Sequence, residues 1–147
     1  MTLLTLALCA AGFVIGLGAV TVIDLHGFLA RRSPYWTEAT IRTHKVTKPL
    51  IWLGTALYAA GLVLGTASGS LEVSWLQWAC LAGLVLNGCF LSFHVSPYLL
   101  RQERAGRARE LLPARLQRAV AASVLVSVAG WWGSLALLLV DLAARLR

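Results

Sequence analysis

Charge is scarce in this chain. Only 13% of its 147 residues are Asp, Glu, Lys or Arg, with six acids among them. Soluble domains of this size carry roughly a quarter charged residues. Hydrophobic residues make up 59%, and the mean hydropathy is +0.75. Too little polar surface remains to cover a water-facing globule, so a soluble fold is excluded and lipid is the better solvent. Only three cysteines occur, Cys9, Cys80 and Cys89, with no C-x-x-C pair. Zinc-ribbon and thioredoxin-like chemistry are therefore unsupported. G-x-S-x-G, H-E-x-x-H and P-loop motifs are absent, as are low-complexity tracts. The first apolar run has no preceding Lys or Arg, and no small-residue cleavage site is followed by polar sequence. It reads as a retained helix rather than a signal peptide.

Apolar runs are what the chain has in quantity. They cover 2–23, 50–66, 73–98 and the stretch from Pro113 to about Leu142. About 20 apolar residues span the ~30 Å hydrocarbon core of a bilayer. The expected fold is all-α: one integral membrane domain over 1–147, an antiparallel bundle of four transmembrane helices near 2–28, 35–67, 73–99 and 113–143. Short connections should make sequential helices neighbours. Ser33 is placed to cap the second helix, with Pro34 in its first turn. Tyr35 and Trp36 suit the headgroup layer. Pro49 marks where that helix enters the hydrocarbon, with a kink expected.

A net charge of +7 and a pI near 10.2 would suggest nucleic acid in a soluble protein. Here the charge is segregated. Arg31, Arg32, Arg42, Lys45 and Lys48 fall in the first connection, and Arg101, Arg104, Arg107, Arg109, Arg115 and Arg118 in the third. The second connection has none. Two basic loops on one side mark the cytoplasm by the positive-inside rule, so both termini lie outside. Arg145 and Arg147 oppose this rule, two residues against eleven. Nucleic-acid binding is rejected, and the expected location is the bacterial inner membrane, with the bilayer itself as first partner.

Small residues form stripes. They are Gly12 and Gly16 on the first helix, Gly54, Gly61 and Gly65 with Tyr58 on the second, and Ser123, Ser127, Gly130 and Ser134 on the fourth. Membrane helices associate through such faces. On the third helix Cys80, Asn87 and His94 recur every seven residues, close to two turns, and so share a face. Asn87 falls near mid-membrane and needs partners, for which the serines of the fourth helix are candidates. Its plain reading is an interhelical clamp. Cys9 and Cys80 lie at similar depth near the outer face; they read as small buried residues rather than a disulfide.

Asp24 and His26 end the first helix, His44 precedes the membrane entry of the second, and His94 lies near the same end of the third. Asp24 is expected to pair with Lys48 or Arg42. The convergence predicts a polar cavity open to the cytoplasm, lined by Asp24, His26, Asn87 and His94, with Trp131 or Trp132 near its wall. His44 is a weak candidate metal ligand.

Several short motifs carry a resemblance. They are Gly16-Leu-Gly-Ala-Val-Thr-Val-Ile-Asp24, Lys48-Pro-Leu-Ile-Trp52-Leu-Gly54 with Ala60-Gly61-Leu62, Leu86-Asn87-Gly88 with Val95-Ser-Pro97, and Ser127-Val-Ala-Gly-Trp131-Trp132. Together they resemble a family of small, uncharacterised four-helix bacterial inner-membrane proteins. In outline the chain is also distantly similar to the four-helix haem proteins of the copper-resistance protein D and membrane protoporphyrinogen oxidase type. That second resemblance implies b-type haem and membrane redox chemistry, with His26 and His94 as candidate axial ligands. Two other classes compete. One is an accessory subunit docking a membrane partner or a second copy. The other is an oligomeric transporter or channel with Cys80, Asn87 and His94 along its path.

Overall fold

The computed structural model describes residues 2–145; Arg147, at the carboxyl end, lies outside them. Four long helices account for nearly all of these residues: α1 (Leu3–Ala30), α2 (Pro34–Ala67), α3 (Trp75–Arg104) and α4 (Ala114–Arg145). Each is long and apolar enough to cross a membrane, which makes the chain a candidate multi-pass membrane protein. Its outer surface suits that solvent: Val14, Leu86, Phe93 and Leu125 are more than two-thirds exposed. Apolar side chains all round a bundle need lipid outside as well as packing inside.

Local chemistry sets the helix ends. The Thr2 hydroxyl accepts from the Thr5 amide at 3.2 Å and opens α1. Ser74 and Gln77 form a reciprocal capping box at the start of α3. Ser33 has the extended backbone of a cap, with Pro34 after it, but its hydroxyl makes no cap bond. Instead the Thr37 hydroxyl donates to Ala30 O and Ser33 O, both at 3.1 Å, and ties the α1–α2 turn from inside. Gly69, at φ +64°, lets the chain reverse after α2, where the Ser70 and Leu71 amides bond back to Gly65 O.

The bundle is built as two hairpins. In the first, glycines let the α1 and α2 backbones touch. A Cβ on Gly12 would come within 2.7 Å of the Tyr58 amide nitrogen, and one on Gly54 would overlap the Gly16 backbone. A Cβ on Gly61 would sit 2.5 Å from Cys9 Sγ. In the second hairpin, α3 lies along α4 with Leu84 seated on Gly130. The hairpins meet where the Trp131 ring fills the space over Gly16, beside Phe13 and Tyr58 at centroid distances of 6.0 and 6.4 Å. Trp131 is 1% exposed, whereas Trp132 is 54% exposed. The neighbour relation expected of sequential helices is close for the hairpin pairs and slighter between α2 and α3.

α3 differs from expectation in two ways. It runs to Arg104 rather than 99, and it contains a π turn at Leu91–Val95. Pro97 supplies the reason: it has no N–H to offer the carbonyl four residues back, and its ring crowds that carbonyl. Widening the preceding turn relieves both, and the extra residue rotates the remainder of the helix by about 100°. Cys9, Cys80 and Cys89 are all free. Cys9 is buried against Gly61 of α2, while Cys80 lies near Gly133 of α4.

Both basic connections fall at one end of the bundle and are tied together there. Glu38 accepts from Arg109 Nε at 2.7 Å and from Arg42 at 2.6 Å. Lys45 pairs with Glu103 at 2.7 Å. Beneath these pairs a second small core forms from Ile41, Val95 and Leu99, with Leu112, Leu116 and Val120 against it. At the other end Arg145 pairs with Asp141 at 2.9 Å and donates to Ser70 O at 3.1 Å.

Candidate functional site: a cavity beside Asp24, His44 and Lys48

The inner face of the first half of α2 carries Thr37, Thr40, His44 and Lys48 at helical spacing. Opposite them stand Asp24 and Gly27 of α1, Ser92 of α3 and Ser123 of α4. Together they line a cavity of about 90 Å3. That is room for a few water-sized groups. The deep end is closed by Trp52, whose Nε1 donates to Ser92 Oγ at 3.1 Å. Gly88 leaves space for that indole, since a Cβ there would lie 3.2 Å from it. Leu99 and Leu112 wall the end nearest the loops.

Two polar atoms of residues that line this cavity are buried and have no hydrogen-bond partner: Asp24 Oδ2 and His44 Nε2. A polar group in that position costs about 1–3 kcal/mol unless something satisfies it. Among the described residues neither Asp24 nor Lys48 forms an ion pair, and Arg42, the other expected partner of Asp24, is held by Glu38. The residues lining this one small volume thus include a carboxyl group as acceptor, an imidazole as donor or acceptor, and an ammonium as donor.

The other candidate residues lie elsewhere. His26 shares a 3.1 Å hydrogen bond with the Thr43 hydroxyl through Nδ1 and stands beside Trp36. His94 sits within the π turn, exposed, stacked on Phe90 at 5.5 Å. Neither lines the cavity. Asn87 is held by α4: its Nδ2 donates to Ser123 O at 3.1 Å and Ser127 Oγ at 3.0 Å, and its Oδ1 accepts from Ser123 Oγ at 2.7 Å. This is an interhelical clamp. Trp131 belongs to the central core instead of the cavity wall. The haem implied by resemblance needs imidazole nitrogens aimed at the iron from one cavity. His26 is held by Thr43 beside Trp36, His94 is exposed against Phe90, and neither lines this cavity or the groove that adjoins it between α1 and α4, so this pair, as placed, does not fit a two-histidine haem. Among the described residues no group of three or more His, Cys, Asp or Glu is gathered for a metal.

No protein-family model, curated protein or solved structure matches this chain.

Proposed function

We propose that this chain is a multi-pass protein of the bacterial inner membrane that binds a small polar ligand, or the polar head of a larger one, in the Asp24–His44–Lys48 cavity. Its basic loops face the cytoplasm, following the positive-inside rule. One observation carries the binding reading: two buried, unpartnered polar atoms, Asp24 Oδ2 and His44 Nε2, on the same cavity as an unpaired Lys48. Ionisable groups kept at membrane depth without structural partners mark ligand sites and transport paths. Asn87, by contrast, has its hydrogen bonds met by α4 and serves the bundle.

The test is native mass spectrometry of protein released from its own membrane in mild detergent. Wild type should carry a non-covalent adduct that Asp24→Asn and His44→Ala lose. A bare wild-type mass, or an adduct that both variants keep, would refute the reading.

A further inference from the structure

A second concavity lies beside the cavity. A groove of about 250 Å3 runs between α1 and α4, walled by Phe28, Ala121 and Leu125, with Arg31 and Gln117 at its rim. Gly27, Ala30, Leu112, Val120 and Val124 line both this groove and the cavity, so the two adjoin. Of these shared residues Gly27 and Ala30 are small, which makes them the natural doorway. At Gly27 an added Cβ would meet nothing within 4 Å. Phe28 and Leu125, 62% and 71% exposed, stand on the outer surface that faces lipid. Toward the loops, the segment after α3 is pinned by Arg109 on Glu38, and Lys45 holds Glu103 beside it. The groove offers a route to the cavity from the outer surface, between α1 and α4.

Resting on the binding reading of the cavity, we infer that the ligand is a membrane aminophospholipid, entering sideways between α1 and α4. Its apolar chain lies in the groove between Phe28 and Leu125, while its zwitterionic head enters the cavity. The charges there are complementary to such a head: Lys48 donates to the phosphate, and Asp24 accepts from the ammonium. His44 is within the same cavity to satisfy a phosphate oxygen. Arg31, which has no carboxylate partner among the described residues and lies 5.8 Å from the Phe28 ring centre, provides a positive rim where anionic headgroups collect.

The test uses full-length protein stripped of lipid in detergent and then offered equal amounts of phosphatidylethanolamine, phosphatidylglycerol and phosphatidylcholine. Native mass spectrometry counts the lipid retained. Phosphatidylethanolamine should lead by about tenfold, the value of one charge-assisted hydrogen bond. Asp24→Asn should erase its lead over phosphatidylglycerol. Gly27→Leu, whose Cβ meets nothing within 4 Å, should close the doorway and cut retention of every lipid; Ala121→Phe should do the same from the other wall. Equal retention of the three lipids, or full retention by both doorway variants, would overturn the inference. If the doorway variants still carry the wild-type adduct from native membranes and no lipid binds, lateral entry fails while the site stands. If Asp24→Asn and His44→Ala change nothing in either experiment, the site itself fails.

Discussion

Replacing Asn87 by Leu removes the clamp between α3 and α4 while keeping an apolar side chain of similar bulk. Asn87 exchanges three hydrogen bonds with Ser123 and Ser127, at 2.7 to 3.1 Å. Hydrogen bonds between membrane helices average about 0.6 kcal/mol and reach ~1.7 at most. Three of them give about 2 kcal/mol, with an upper bound near 5 kcal/mol. Once released, Ser123 and Ser127 can turn back to carbonyls of their own helix, so no orphaned hydroxyl adds to the loss. The expected destabilisation is therefore about 2 kcal/mol, measured as equilibrium unfolding in mixed micelles of increasing denaturing detergent. A cycle with Ser127→Ala should return a coupling of about 0.6 kcal/mol for that one bond. A variant within about 0.5 kcal/mol of wild type, or more stable than it, would refute the assignment of Asn87 to the clamp.

Four other outcomes rest on the same geometry. Gly54→Val should destroy the α1–α2 seam, because its Cβ overlaps the Gly16 backbone; the readout is failure to accumulate in membranes, while the same change at Gly83, where nothing lies within 4 Å, is tolerated. The Arg109 guanidinium holds the Glu38 carboxyl below the usual carboxylate range. That depression stabilises the loop contact above the ordinary value of about 4.3 and is lost as pH falls through the lower folded value. The opening equilibrium of 105–113, taken from hydrogen exchange after division by each amide's intrinsic rate at that pH, should therefore rise in acid and in high salt, and a pH-independent opening equilibrium would contradict the tie. His26→Ala and His94→Ala should leave the absorption spectrum of the purified protein unchanged, since neither imidazole lines the cavity; loss of a Soret band in either variant would restore them as haem ligands. With native cysteines removed, a cysteine at position 70 should react with an impermeant reagent from outside and one at position 106 should not; the reverse pattern would invert the topology.

Much of the architecture is legible because lipid solvation writes long apolar runs and segregated charge into a chain. The four helices, the glycine seam and the partners of Asn87 all come from run length, small-residue spacing and a polar side chain opposite serines. Counting sevens puts His94 on the stripe of Cys80 and Asn87, and the π turn breaks that count. Pro97 is the available signal, since a proline inside a long helix forces the turn before it to change. By position alone His44 and Lys48 are membrane-entry residues. Their register with Thr37 and Thr40, at steps of three and four, marks one polar face of α2 and points to the cavity. The unpartnered state of Asp24 is only half legible: the i,i+4 spacing within α2 already gives Arg42 to Glu38, but nothing in the sequence tells that Lys48 makes no ion pair with Asp24 among the described residues.

The binding reading is tested most directly by the unfolding free energy of Asp24→Leu in protein freed of ligand. A carboxyl kept for a ligand is a burden to the empty fold, because Asp24 Oδ2 is buried without a partner. Its removal should stabilise the ligand-free protein by about 1–3 kcal/mol while abolishing the adduct. A loss of stability of about 1 kcal/mol or more would mean that Asp24 holds the bundle together, and that the cavity is not a site.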